Sequence, residues 1–364
     1  MMVVSKQYQI FFDFLRFCIS SESEIPSSLK EADWEELYAI AKKQCLVGVL
    51  FDGIKKLPAE QVGMKMGLLF QWIAKNRMLE KANVRLNDAA IQVSEWFRKK
   101  GFRTCILKGQ GNALMYPNPY SRTPGDIDIW VEGGDKRVIS FVRSISPHEK
   151  ACYHHIEFPS YKGVEVEVHY RPSFLLCFSH NRKLQKFYER MKEEQFSHRV
   201  MLGKQGEIAI PTAEFNLIFQ LTHIYAHLMN EGIGLRQLLD YYYVLISDDL
   251  LLIRDRVQKE LKELGLWKFA GGIMYIMQEV FGMPASRLIV PPNEKYGKFV
   301  LNEVLEAGNF GKHDERNRFG RSQLGHNLQR VYRDIRLVRY FPAEALCEPV
   351  FRLWHFFWRV KNKK

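Results

Sequence analysis

Two aspartates separated by one residue, Asp126 and Asp128, lie in a segment whose neighbours are mostly apolar. If this segment is a strand, the alternation of side chains points both carboxylates to one side. Hard divalent cations bind oxygen ligands, and carboxylates with substrate phosphates form the usual magnesium site of phosphoryl and nucleotidyl transfer. The pair therefore predicts chemistry on a nucleotide, although an isolated Asp-x-Asp also occurs in solvated turns and calcium loops.

A turn with two glycines precedes the aspartates. The apolar run at residues 104–107 predicts a short buried strand, and residues 108–111 form a Lys-Gly-Gln-Gly turn before a helix begins near Asn112. Glycines let backbone N–H groups approach a phosphate, a helix N-terminus favours negative charge, and Lys108 adds a positive charge. The turn predicts a triphosphate cradle, because a dinucleotide fingerprint would need a third glycine where Leu114 stands. The predicted nucleotide-binding residues of this turn are Lys108, Gly109 and Gln110.

A third acidic position lies in residues 164–169, which alternate between valine and a polar residue. On a strand, Glu165, Glu167 and His169 share one face, and the valines form the core face. A two-metal site needs a third carboxylate, which holds the second ion or acts as base toward an attacking hydroxyl. We predict Glu167 for this role, with Glu165 as the alternative. A polar face turned to solvent is the competing interpretation.

Arg122 stands four residues before Asp126. A guanidinium at this place could hold phosphate oxygens with two hydrogen bonds, so we predict that Arg122 binds nucleotide; pairing with a carboxylate is the alternative. Asp240 lies on a later predicted helix and could approach the acceptor. A capping or salt-bridge role is the favoured interpretation of Asp240.

Two pairs of histidines call for a metal test. His223 and His227 share one face of a predicted helix, as in zinc peptidases, but Ile224 replaces the glutamate that such an enzyme needs as its base. We therefore predict helix packing or substrate contacts for this pair. His154 and His155 precede a predicted strand, and alternation predicts that at most one of them faces the cleft.

The order and spacing of these motifs resemble a known family. The matching stretches are 107–109, Arg122 with 125–128, 167–169, 223–228 and 234–240. Together they are similar to the uncharacterised nucleotidyltransferase family of the polymerase-β-type superfamily, over most of the chain beyond about residue 70.

The resemblance implies a role for each matching residue. Asp126 and Asp128 would hold magnesium, Glu167 would be the third acidic residue, and Lys108 with Gly109 would lie beside the phosphates. At the strand-to-helix turn the wider superfamily usually has Gly followed by Gly or Ser, and this chain has Lys-Gly-Gln-Gly instead.

Hydrophobic periodicity predicts helices on both sides of the mixed region. A long helix is expected from near Leu69 to Lys99, because Leu79, Leu86 and Val93 recur every seven residues and Gly101 follows. Later helices are predicted at 223–245, 250–264 and 269–281. The predicted fold class is α+β, with a small mixed-sheet nucleotidyltransferase core flanked by N-terminal and C-terminal helical regions. The predicted limits are 1–100 for the N-terminal helical region, 101–210 for the catalytic core and 211–364 for the C-terminal helical domain.

The composition, with 46% hydrophobic and 26% charged residues, is that of an ordinary globular chain. The formal net charge of +12 favours anionic partners such as nucleotides or nucleic acids, although general solvation explains the excess equally well. Six cysteines without a Cys-x-x-Cys pair, and an N-terminus without an apolar signal segment, predict free thiols and a cytoplasmic location.

The C-terminal residues 351–360 mix large aromatic side chains with basic ones, and the aromatic residues lie on nearly all sides of a helix. This pattern predicts burial against the preceding helices rather than a one-sided membrane anchor. No apolar run is long enough to span a bilayer, so stable membrane insertion is not expected.

The predicted function is magnesium-dependent nucleotidyl transfer. An acceptor hydroxyl would attack the α-phosphate of a nucleoside triphosphate, with ATP as the predicted donor, and pyrophosphate would leave. The acceptor stays open among a small molecule, a nucleic acid and a protein. Two alternatives remain, namely a nucleotide- or RNA-binding protein without turnover on the same fold, and a toxin-like enzyme that modifies transfer RNA or protein.

Overall fold

The computed structural model describes residues 5–20, 24–58, 63–203, 206–247, 249–314, 316 and 323–362. Its helices are α1 (Lys6–Ile19), α2 (Trp34–Lys43), α3 (Val47–Ile54), α4 (Met66–Lys99), α5 (Gln110–Ala113), α6 (Gly134–Ile145), α7 (Phe178–Ser197), α8 (Ala213–Asn230), α9 (Leu235–Leu245), α10 (Leu250–Glu263), α11 (Trp267–Phe281), α12 (Glu294–Ala307), α13 (Gln323–Val338) and α14 (Pro342–Lys361). Its strands are β1 (Thr104–Ile106), β2 (Ile127–Val131), β3 (His155–Tyr161), β4 (Val164–His169), β5 (Arg199–Leu202) and β6 (Gly206–Ala209).

A mixed sheet of four strands lies in the middle of the chain, in the order β1-β2-β4-β3. β2 runs parallel to β4, whereas β1 and β3 are antiparallel to their neighbours. Strands β5 and β6 form a separate antiparallel pair. This arrangement between helical regions confirms the predicted α+β fold class.

The apolar face of the sheet follows from the alternation of β2 and β4. Ile127 and Ile129 of β2 lie beside Val166 and Val168 of β4, and all four side chains are buried. The C-terminal half of α4 covers this face and packs Phe97 into the same core. The polar positions between the apolar ones therefore point to the other side of the sheet.

Helix α4 confirms the predicted long helix. It spans Met66–Lys99, and the side chains of Leu79, Leu86 and Val93 are buried along it. Gly101 follows in a positive-φ conformation at 81°, which favours glycine.

The predicted single helix at 223–245 is two helices. α8 ends at Asn230, and α9 begins at Leu235. Between them Gly232 adopts a φ of 112°, a conformation that an α-helix does not contain and that residues other than glycine rarely adopt. The break reorients the chain, so Asp240 on α9 does not continue the line of the histidines on α8.

The N-terminal and C-terminal helices share one hydrophobic core. Phe11 and Leu15 of α1 belong to the same buried cluster as Leu238 of α9, Ile273 of α11 and Val304 of α12. The two helical regions therefore pack on each other. The predicted domain limits near residues 100 and 210 stay predictions.

Helix α14 is buried on one face only. Phe351 is buried and stacks on Phe174 with ring centroids 5.2 Å apart. On the opposite face more than half of the side chain is exposed for Leu346, Val350, Leu353, Phe357 and Val360. The prediction of burial against the preceding helices is therefore correct for one face and wrong for the other. Among the described residues no helix combines the length and apolar character that crossing a bilayer requires.

Gly48 places helix α3 directly against the segment that leads into β2. A Cβ atom at this position would overlap the carbonyl oxygen of Ser121, a backbone atom that cannot move away alone. Gly48→Ala is expected to lower the free energy of unfolding by about 1–3 kcal/mol, because the added methyl group overpacks this contact.

Urea unfolding followed by circular dichroism measures this effect. Gly67→Ala is the matched control, since Gly67 is also the second residue of a helix and a Cβ there meets open space. The control is expected to change stability by less than about 1 kcal/mol. Equal stability of the two variants would contradict the close contact at Gly48.

Candidate active site

Strands β2 and β4 bring three carboxylates together. Asp126 immediately precedes β2, Asp128 lies on it, and Glu167 lies opposite Asp128 in the parallel register. One oxygen of each carboxylate lies within 4.8 Å of the other two. Glu165, the alternative third carboxylate, is exposed and lies outside this cluster.

Asp128 is the most buried member of the cluster, with 2% of its surface exposed. Lys108 Nζ lies 3.0 Å from its Oδ2 atom, and His169 Nε2 donates to its Oδ1 atom at 2.9 Å. Burial opposes ionisation, but Lys108 and His169 outweigh it and hold the pKa of Asp128 well below its usual range. Asp128 is therefore ionised at neutral pH.

The two cations beside Asp128 are stabilised by the same contacts. Burial lowers the pKa of His169, but its hydrogen bonds to Asp128 and Glu167 raise it to about 9. Burial likewise lowers the pKa of Lys108, but attraction to the charges of Asp128 and Asp126 outweighs burial, and the pKa of Lys108 is raised. Both side chains are consequently positive at neutral pH.

Asp126 has the opposite shift from Asp128. Repulsion from the charge of Asp128, together with burial, raises the pKa of Asp126. Glu167 is half-buried, and although partial burial raises its pKa, the hydrogen bond from His169 lowers it. A divalent cation among the three oxygens would relieve the repulsion, and carboxylate oxygens are ligands that magnesium prefers. The residues present therefore fit a magnesium ion.

The predicted phosphate cradle has its glycine in the required conformation. Gly109 adopts a φ of 59° and a ψ of −107° at the start of α5, which favours glycine. It follows Lys108 directly and brings the backbone close to that of Asp126, since a Cβ on Gly109 would lie 3.6 Å from the Asp126 carbonyl oxygen. The side chain of Gln110 instead is buried and donates to Asn87 of α4, away from the carboxylates. The nucleotide-binding roles of these residues stay predictions.

Arg122 pairs with a carboxylate. Its Nε and Nη2 atoms donate to the two oxygens of Asp240 at 2.8 and 2.7 Å, and Tyr116 donates to the same carboxylate at 2.7 Å. All three groups are buried. The structure thus shows Arg122 paired with a carboxylate, which was the alternative to phosphate binding, and it shows Asp240 in the salt bridge that was favoured for it. Arg122 also lines a small cavity of about 50 Å³ next to Lys108, and its contact with nucleotide stays a prediction.

A cavity of about 550 Å³ opens beside the three carboxylates. Polar residues of the sheet form one wall, α8 forms another, and α14 contributes Phe351, Arg352 and His355 to the lining. The volume lies within the usual range of small-molecule pockets. The C-terminal helix therefore takes part in the candidate site.

Six histidines line this cavity, namely His154, His155, His169, His223, His227 and His355. The prediction that at most one of His154 and His155 faces the cleft is wrong, because β3 begins at His155 and His154 lies outside its alternation. β3–β4 pairing sets His155 opposite His169, and the ring centroids of these two lie 5.3 Å apart. No local sequence signal reveals this cluster, since the histidines come from four separate segments of the chain.

His223 of α8 connects the histidines to Lys108. Its Nε2 atom lies 3.1 Å from Lys108 Nζ. Burial and the neighbouring charge of Lys108 hold the pKa of His223 well below its usual range, so the neutral ring accepts a hydrogen bond from the ammonium group. Lys108 is consequently held between His223 and Asp128.

The three carboxylates thus lie on or beside the two central strands of the mixed sheet. The family model described as "Uncharacterised nucleotidyltransferase" matches residues 30–282, more than half of the chain. The chain belongs to this family.

Among solved structures, one similar chain comes from the crystal structure of an antigenic nucleotidyltransferase-like protein from Paracoccidioides brasiliensis. The identity is 14%, the alignment covers 50% of this chain and 90% of the other, and the TM-score is 0.28. No curated protein matches the chain.

Proposed function

We propose that this protein is a magnesium-dependent nucleotidyltransferase that moves a nucleoside monophosphate from a nucleoside triphosphate to a hydroxyl acceptor and releases pyrophosphate. One observation carries the proposal: the oxygens of Asp126, Asp128 and Glu167 converge within 4.8 Å beside a cavity of ligand size. ATP is the proposed donor. A small molecule, a nucleic acid and a protein remain candidate acceptors.

Asp126, Asp128 and Glu167 would hold the magnesium. When bound there, magnesium would neutralise charge on the transferring phosphate and orient the triphosphate for in-line attack. Lys108 lies at the same place with a full positive charge and would contact phosphate oxygens. Gly109 would let the backbone of the turn approach the triphosphate.

His169 and Glu167 would serve the reaction through their charges. His169 donates to Asp128 and lies 3.4 Å from Glu167, so it would orient both carboxylates and keep them ionised. Glu167 is ionised at neutral pH, since its pKa is lowered. It would accept the proton of the acceptor hydroxyl as that oxygen attacks the α-phosphate.

The convergence of the carboxylates favours catalysis over binding alone. A protein that only binds nucleotide or RNA has no need for three carboxylates at one point, since such a cluster repels phosphate unless a cation is bound. The net charge of +12 suits either function and does not separate them.

Isothermal titration calorimetry with each nucleoside triphosphate, with and without magnesium, tests the proposal. The wild type is expected to bind a triphosphate only when magnesium is present, and Asp126→Ala is expected to abolish that dependence because an ion ligand is lost. Glu165→Ala is the matched control: it removes a carboxylate from the same edge of the sheet, outside the cluster.

Magnesium-dependent binding by Glu165→Ala should equal that of the wild type. Failure of every triphosphate to bind, or binding of equal strength with and without magnesium, would overturn the proposed function.

A further inference from the structure

A second group of possible metal ligands lies on the β3–β4 pair, next to the three carboxylates. It consists of His155, Glu167 and His169, whose ligand atoms all lie within 4.8 Å of one another. Two nitrogen ligands distinguish this group from the all-oxygen cluster, although Glu167 belongs to both. Its chemistry therefore selects a different class of ion, because imidazole nitrogen suits zinc and related transition metals better than magnesium.

The spacing of the three groups fits a small ion between them. Glu167 Oε2 lies 3.5 Å from His155 Nδ1 and 3.4 Å from His169 Nε2. Strong charge-assisted hydrogen bonds are shorter, at about 2.7–2.9 Å, so the hydrogen bond between His169 and Glu167 is a long one. Ligands of a tetrahedral zinc ion, with bonds of about 2.0–2.1 Å, lie about 3.3 Å apart. The observed distances are therefore those expected between two ligands of one ion.

The surroundings of His169 resemble those of a metal-binding histidine. Its Nδ1 atom lies 3.3 Å from the carbonyl oxygen of Arg171 and donates to it, so Nε2 faces the carboxylates. Ligating histidines usually donate their other ring N–H to such an acceptor, which fixes the ring and its tautomer. His169 is also 3% exposed, so the ring has little freedom to turn away.

We propose that His155, Glu167 and His169 form a site for a transition-metal ion of the zinc class, which shares Glu167 with the magnesium cluster and has an open fourth position. Three protein ligands with nitrogen and carboxylate oxygen donors are sufficient for such an ion. The adjacent cavity leaves room for water or a ligand atom at the fourth position.

The proposed site competes with the carboxylate cluster. Ligation through Nε2 of His169 replaces its hydrogen bond to Asp128, and the ion also engages Glu167. Zinc is therefore expected to inhibit the proposed nucleotidyl transfer. This consequence rests on the proposed function, whereas the binding of zinc does not.

Calorimetric titration of zinc chloride into the chelator-treated 364-residue chain at neutral pH tests the site without any nucleotide. The wild type is expected to bind one zinc per chain at this site, and His155→Ala to weaken that binding by about 100-fold or more, since even the loss of an outer partner costs 10- to 100-fold. Asp126→Ala is expected to bind zinc as the wild type does, because Asp126 belongs only to the other cluster. His148→Ala, which changes an exposed histidine, is the matched control.

Several results would overturn the proposal. Equal zinc binding by the wild type and His155→Ala would show adventitious binding elsewhere, and loss in Asp126→Ala but not in His155→Ala would place the ion in the carboxylate cluster. If His155→Ala does not fold, the absorption of cobalt(II) bound to the wild type decides: intense visible bands of a four-coordinate ion support the site, and the weak bands of a six-coordinate ion contradict it. Because nucleotide is absent, these outcomes are distinguishable from failure of the proposed transfer.

Discussion

Asp128→Asn is expected to lower the rate of nucleotidyl transfer by about three orders of magnitude. The substitution keeps the shape of the side chain but removes the negative charge that Lys108 and His169 contact at 3.0 and 2.9 Å. A metal ion stabilises the charge of a transition state by several kcal/mol. Loss of about 4 kcal/mol of this stabilisation corresponds to a factor of about 10³ in rate.

The rate is measured as transfer of label from an α-phosphate-labelled nucleoside triphosphate to product, in a cell extract that supplies the acceptor. Glu165→Gln is the matched control, because it makes the same chemical change at an exposed carboxylate of the neighbouring strand. Its rate should stay within about twofold of the wild type, the effect of an ordinary surface substitution. Urea unfolding of both variants shows whether they are folded. A folded Asp128→Asn protein with an unchanged rate would remove Asp128 from the proposed mechanism.

The convergence of the carboxylates is the part of the site that the sequence predicts well. Strict alternation identifies the polar face of β4, and the apolar residues around Asp128 identify β2 as a buried strand. If such strands are neighbours, their acidic residues meet at the same edge. The parallel register sets Asp128 opposite Glu167, and Glu165 lies outside the cluster.

Local sequence patterns do not predict the partners of Arg122 and Lys108. The carboxylate that pairs with Arg122 stands 118 positions later in the chain, and His223 stands 115 positions after Lys108. Periodicity reports which face of an element is apolar, but it does not report which distant element packs there. The choice between phosphate and carboxylate as the partner of Arg122 therefore required the tertiary structure.

Hydrophobic periodicity does not predict the break between α8 and α9 or the exposed face of α14, for a different reason. Apolar residues continue through 223–245, so the period of a helix persists across Gly232 although the backbone turns there. In α14 the aromatic residues occupy both faces, and a pattern of this kind cannot tell which face packs against the protein. Hydrophobicity predicts the amount of apolar surface better than the place where that surface is buried.

Asp240→Ala is expected to lower the free energy of unfolding by about 3–5 kcal/mol. Asp240 accepts two hydrogen bonds from Arg122 and one from Tyr116, and Arg122 and Asp240 are 2% and 5% exposed. Removing one partner of a buried ion pair leaves the other charge without compensation in a medium that solvates it poorly. Because Arg122 directly precedes the segment that carries Asp126, the variant should also weaken magnesium-dependent nucleotide binding.

Urea unfolding followed by circular dichroism measures the loss, with two variants for comparison. Tyr116→Phe removes one hydrogen bond and keeps the ion pair, so a cost of about 1–2 kcal/mol is expected. Glu35→Ala breaks the exposed pair of Glu35 with Lys65, whose N–O distance of 2.8 Å is similar, and should cost far less than Asp240→Ala because solvent screens both charges. The expected order of destabilisation follows burial rather than distance. If Asp240→Ala lowers the free energy of unfolding no more than Glu35→Ala does, another group compensates the charge of Arg122. The buried pair then does not stabilise the packing of the segment before β2 on α9.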